Sequence, residues 1–127
     1  MSKSDPLFYL NAIAQIIFDK KGSNILALDV REISTLTDYV VIAEGNIDKH
    51  VIAIAQAILE RLQQVGLSPV HIEGVKTGDW IVIDYLHMMV HIFMPGLRDK
   101  YQLEQLWKEG HIIDLQIDVT PKNLSAK

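Results

Sequence analysis

WIVIDYLHMMVHIFM, residues 80–94, is the most apolar stretch of this 127-residue chain, yet it holds an aspartate, two histidines and a tryptophan. Its fifteen residues, with Asp84 among them, fall short of the roughly twenty a membrane helix needs, and a central aspartate adds about 3 kcal/mol against insertion. As one strand it would run about 50 Å at roughly 3.3 Å per residue, far beyond the usual five or six residues. The length therefore predicts two strands divided by a turn at Leu86-His87. That turn has poor chemistry, because tight hairpins favour glycine or asparagine where φ is positive, so a longer or bulged turn is expected. On the first strand Trp80, Val82 and Asp84 share one face while Ile81, Ile83 and Tyr85 share the other. Both faces are largely apolar, as in a central strand covered on both sides.

The two histidines of the stretch, His87 and His91, have metal-like spacing only on a helix; on a strand they lie roughly 13 Å apart and cannot share an ion. Met88 also stands where a helical zinc-protease motif carries its glutamate, so no metal site is expected.

Outward from this hairpin, Ser4-Asp5-Pro6 reads as a helix start, with Leu7, Leu10, Ile13, Ala14 and Ile17 on one face and Gly22 placed to end it. Residues 24–30 (NILALDV) and 39–44 (YVVIAE) read as strands, joined by a turn region containing Ser34, Thr35, Thr37 and Asp38. Asp48 is placed to cap a second helix carrying Val51, Ala55, Ile58, Leu62 and Val65 up to Gly66. Residues 69–73 (PVHIE) form a brief strand candidate and residues 74–79 a loop. After Pro95-Gly96 a short third helix places Leu103, Leu106 and Trp107 on one side; a further strand is read within 112–119, and fraying from Pro121. A strand, a helix and a strand in succession imply a parallel crossover, and the short loops elsewhere imply antiparallel neighbours. The reading is a single α/β domain over residues 1–120, with a mixed sheet of about five strands and helices packed on it.

Composition narrows the chemistry. Hydrophobic residues make up 49% and charged residues 22%, enough apolar side chain to offset ordering entropy in one core. Without cysteine there are no disulfides, thiolate metal sites or cysteine nucleophiles. The N-terminal stretch lacks a basic leader with a small-residue cleavage site, so a cytoplasmic location is expected. The net charge is −4 and the basic residues are scattered, which argues against autonomous nucleic-acid binding and favours a basic protein partner. Asp29, Asp38, Glu44, Glu73, Asp79 and Asp84 supply single carboxylates without a spacing diagnostic of acid–base work. No phosphate loop, nucleophile elbow or dinucleotide fingerprint is present, so neither catalytic residues nor a cofactor are assigned.

The segments TDYVVIAEGN (37–46), His50-Val51, Glu73-Gly74, Trp80, Asp84-Tyr85, VHIF (90–93), Arg98, Tyr101, Leu103-Glu104 and Leu106-Trp107 together resemble the ribosomal silencing factor family, also called RsfS or Iojap. The resemblance runs from about Leu28 to Trp107. It implies a fold related to nucleotidyltransferases, although this chain lacks their Gly-Ser motif and the following Asp-x-Asp pair, so that activity does not carry over. It implies a non-enzymatic translation repressor that binds the large ribosomal subunit through universal large-subunit protein fourteen and keeps the small subunit from joining. An acidic chain meeting a basic ribosomal protein agrees with this. A homodimer of the free protein is compatible with the reading. The chain departs from the family at Leu86-His87, where glycine and an acid are common, and at Met88-Met89, in place of more usual β-branched residues.

The site expectation follows. Trp80, Asp84 and Tyr85 are read as a docking strand, with Glu73 and His87 at its margin, because aromatic anchors beside a few charges suit protein interfaces. Trp80 as a core or rim packing residue and Asp84 as a hydrogen-bonded structural acid are the competing readings. The competing functions are a nucleotidyltransferase-type enzyme, disfavoured by the missing acid pair, and a small-molecule-responsive βαβ regulatory module.

Overall fold

The structure is a computed structural model that describes residues 5–97 and 108–120. The expected third helix, with Leu103, Leu106 and Trp107, and the tail from Pro121 fall outside the described residues. Helix α1 (Pro6–Asp19) starts as its sequence demands: the Asp5 carboxylate accepts from the Leu7 amide at 2.9 Å, and Pro6 occupies the first turn. Leu10, Ile13, Ala14 and Ile17 are buried. The helix ends in a Schellman motif, with the Gly22 amide donating to Ile17 O and the Lys21 amide to Phe18 O. The left-handed residue there is Lys21 (φ 69°), not Gly22 as its placement suggested. Gly22 serves space instead, since a Cβ would strike the Ile17 side chain.

Strands β1 (Ser23–Asp29) and β2 (Tyr39–Glu44) pair antiparallel. Helix α2 (Asp48–Gln64) follows, with Ile47 at the capping position. Asp48, read as the cap, is the first helical residue, and its carboxylate takes the Lys49 amide at 2.8 Å. Gly66, at φ 87°, closes α2 as expected, with the Leu67 amide reaching back to Leu62 O at 2.9 Å. Then come β3 (His71–Glu73), β4 (Trp80–Asp84), β5 (Met88–Phe93) and β6 (His111–Ile112).

The described residues form a mixed sheet of six strands in the order β3-β4-β5-β2-β1-β6. Among the described residues only β2 and β5 pair in parallel. Helix α2 carries the chain from β2 past two strand positions to β3, which runs parallel to β2, and β4 and β5 then fold back by hairpins to fill the gap. The crossover expected of a strand–helix–strand succession is therefore present, but its two strands are not neighbours. Along β6 the extended strand read within 112–119 is cut to two residues. Beyond it the chain lies against α1, whose Asn11 Oδ1 takes the Gln116 amide at 2.9 Å and whose Gln15 Oε1 takes the Asp118 amide at 2.7 Å.

Each sheet face packs separately. Under α1 and α2 lies the main core, including Ile13, Ile54, Ile58, Ile81, Ile83, Val90 and Ile92, all fully buried. On the opposite face Leu28, Val30, Val40, Ile42 and Phe93 form a smaller cluster, joined by Leu26, Trp80 and Leu97.

Candidate functional site

The β4–β5 hairpin turns where its length requires, at residues 85–87, but tightly and not through the longer or bulged turn expected. The Tyr85 amide donates to Met88 O at 2.8 Å and the His87 amide to Tyr85 O at 3.0 Å, closing a tight turn at Leu86-His87. Leu86 sits at φ 77°, the left-handed region where a leucine side chain is strained. Two contacts hold it there. The Asp84 carboxylate accepts the Leu86 amide at 2.7 Å, and His87 O accepts the amides of Asp38 and Tyr39 at 3.1 and 3.0 Å, tying the tip to the start of β2. His87 Nδ1 also lies 3.2 Å from Asp38 Oδ2.

This turn fixes a register in which Trp80 faces Phe93, Val82 faces His91 and Asp84 faces Met89; on the other side of β4, Glu73 faces Val82 and His71 faces Asp84. Paired residues share a face. The face away from α1 and α2 thus presents three rows: Trp80–Phe93, Glu73–Val82–His91 and His71–Asp84–Met89. Phe93 and His91 are buried, Trp80, Val82, Asp84 and Met89 are half-buried, and Glu73 and His71 are exposed. His71 Nε2 and Glu73 Oε1 pair at 3.2 Å.

Trp80 anchors the group. Its ring meets Phe93 edge-on with centroids 6.4 Å apart, and its indole N–H donates to His91 Nδ1 at 3.2 Å. Accepting at Nδ1 assigns a neutral His91 its proton at Nε2, and burial holds this imidazole neutral by pushing its pKa from 6.5 down to about 4. The indole's polar edge is spent inward, so ring surface is what Trp80 offers outward.

The structure brings Trp80, Asp84 and Glu73 together on one face, with His87 at the exposed tip. Tyr85 does not join them: it points into the helix-covered core, 5% exposed, and burial raises its hydroxyl to about 12. Alternation along β4 already separates it from Trp80 and Asp84, although the sequence reading grouped the three on one docking strand. The structural role weighed for Asp84 is present too, since one carboxylate oxygen holds the turn. Sequence reasoning missed His71, Met89 and His91 as members of this face. Among the described residues no cluster of three or more His, Asp or Glu side chains could hold a metal ion, and no helix is long and apolar enough to cross a membrane.

Residues 3–127 match the family model described as ribosomal silencing factor during starvation. The chain belongs to that family. The ribosomal silencing factor of Bacillus subtilis is 38% identical over 97 residues, covering 76% of this chain and 82% of that protein. A crystal structure of a Chromobacterium violaceum protein superposes with a TM-score of 0.77 at 26% identity, covering 91% of this chain and 97% of that one. A mouse relative at 26% identity, matched over 79% of this chain and 45% of its own length, bears the name mitochondrial assembly of ribosomal large subunit protein 1.

Proposed function

We propose that this protein silences translation in the cytoplasm by binding the large ribosomal subunit through universal large-subunit protein fourteen and occupying the space the small subunit needs. No bond is made or broken; inhibition is steric. The observation that supports this reading is the face of β3, β4 and β5: a half-buried tryptophan ring, apolar Val82 and Met89 beside it, and Glu73 and Asp84 along the same surface. An aromatic anchor among acids suits a basic protein partner, with the ring supplying affinity and the charges supplying steering. The chain's net charge of −4 acts in the same direction. Tyr85 contributes from beneath by packing the strand, and His87 stands at the margin.

Cosedimentation with isolated large and small subunits tests the proposal, with binding to the large subunit alone as the expected result. Trp80→Ala should weaken binding by at least about 2 kcal/mol. Glu73→Lys, at an exposed side chain, should weaken it most at low salt, because screening removes its effect at high salt. Asp84→Asn keeps an acceptor for the Leu86 amide while removing the charge. Lys49→Ala, on α2, is the control. If these three variants bind like wild type and Lys49→Ala does not, the docking surface lies on the helical side.

A further inference from the structure

His91 stands where an apolar side chain would pack more cheaply. It is buried in the middle of β5, between Val90 and Ile92, which are both fully buried, and directly across from Val82 on β4. Placing an imidazole there costs hydration that a leucine would not give up. Burial keeps the ring neutral, and its Nδ1 is then an acceptor, taking the Trp80 N–H at 3.2 Å.

Trp80 is diagonal to His91 in the ladder, being directly opposite Phe93, and only a long side chain reaches that far. The two partners restrain the indole in different ways. Phe93 meets it edge-on, with centroids 6.4 Å apart and planes at 84°. Such a wall does not choose between the two orientations related by a half-turn about χ2, because χ2 of tryptophan is broad and roughly two-fold. A hydrogen bond does choose. Only one orientation directs Nε1 at the His91 ring, whose centre lies 6.1 Å from that of the indole. In the other the N–H turns away from this acceptor and is left to water, which a partner covering Trp80 would have to displace.

We propose that His91 is a positioning residue for docking: its Nδ1 selects the indole orientation in which Trp80 meets the ribosomal partner with ring surface and no polar edge. The inference rests on the reading of Trp80 as the docking anchor. His91, being buried, makes no contact of its own with the ribosome. It acts by setting in advance an orientation that would otherwise have to be fixed on binding.

Leucine and asparagine at position 91 separate acceptor from bulk. The two side chains share one branched shape, and only asparagine carries an oxygen on Cγ, where Nδ1 is attached, to accept from the indole. On the free full-length chain the Trp80 indole N–H, assigned by its loss in Trp80→Phe, should exchange with solvent at least about ten-fold faster in His91→Leu than in wild type or His91→Asn. In cosedimentation with isolated large subunits, His91→Leu should bind between about two- and ten-fold more weakly than wild type and His91→Asn, the range for immobilising one large side chain. In Trp80→Phe, which has no N–H, the leucine and asparagine changes should bind alike. Apolar leucine suits a buried site better than an amide, so a merely structural role for His91 would make the leucine variant the better binder. If Trp80→Ala binds like wild type, the docking reading fails and the positioning role falls with it. If Trp80→Ala loses binding while His91→Leu binds like wild type, docking through Trp80 stands and the role of His91 is overturned. Indole exchange in His91→Leu as slow as in wild type overturns it as well.

Discussion

Acidification should destabilise this protein through one side chain, His91. The imidazole is 6% exposed, and burial lowers its pKa from 6.5 to about 4. Between those values the unfolded chain holds a proton at this position that the folded chain refuses, so acid favours unfolding. The contribution is fully present above about pH 6.5 and is lost as the pH falls towards about 4. At about 1.4 kcal/mol per pH unit, the interval from 6.5 to about 4 sets a maximum near 3 kcal/mol. At about pH 5 roughly 2 kcal/mol should already be gone. Wild type is compared with His91→Gln, which shares every other ionisable group and whose amide oxygen can still accept from Trp80 Nε1 but takes up no proton in this range. Urea unfolding at about pH 7.5 and about pH 5 gives the stability change for each, on the two-state behaviour usual for a domain of this size. Wild type should lose about 2 kcal/mol more than the variant over that interval. Parallel losses, within about 0.5 kcal/mol, would refute the claim that His91 is held neutral by burial.

Glycine positions make a paired test: Gly74 (φ 86°) would drive a Cβ into the Trp80 carbonyl, whereas Gly66 (φ 87°) has open space around it. Gly66→Ala should therefore cost only the conformational penalty, about 1–2 kcal/mol, while Gly74→Ala should cost clearly more and perturb the Trp80 fluorescence. Leu86→Gly should raise the melting temperature by relieving φ 77° at an exposed tip, a gain of at most about 1 kcal/mol after the greater freedom of glycine in the unfolded chain is counted. Phe93→Ala, at a fully buried ring in the smaller cluster, should cost about 3–5 kcal/mol in chemical denaturation and remove the ring against which Trp80 packs.

The hairpin was readable because length alone forbids a single strand, and the left-handed Leu86 is the price of turning without glycine. A turn centred between Leu86 and His87 pairs residues whose numbers sum to 173, which sets Trp80 against Phe93 and Val82 against His91, the register observed. His91 was thus within reach of the sequence as the partner of Trp80, although two histidines in an apolar run drew attention to metal spacing instead. Strand order was not readable, because nothing local in β3 says that two later strands will lie between it and β2. The tail misled for a different reason. Its alternating residues at 112–119 suit a strand, but the side chains of Asn11 and Gln15 on α1 accept two of its amides, Gln116 and Asp118, that a ladder would need. Side-chain competition of that kind has no signature in periodicity.

The two sides of β4 divide between the core and the proposed docking face. Ile81 and Ile83 are fully buried under the helices, and Tyr85 nearly so, whereas Trp80, Val82 and Asp84 alternate with them and stay half-buried. A change at Ile83 therefore acts on folding first, and a change at Val82 on the proposed docking face first. Trp80 and Asp84 do not separate so cleanly. The Trp80 N–H is bonded to buried His91, and the Asp84 carboxylate holds the strained Leu86 turn, so each residue proposed for contact also maintains the surface on which it lies. Truncating either to alanine mixes lost contact with lost shape. Asp84→Asn, which retains the turn acceptor, and Glu73→Lys, on an exposed side chain, act on charge while leaving those internal bonds in place. A loss of ribosome binding shared by these two, with melting unchanged, would locate the partner on this face without reference to the fold.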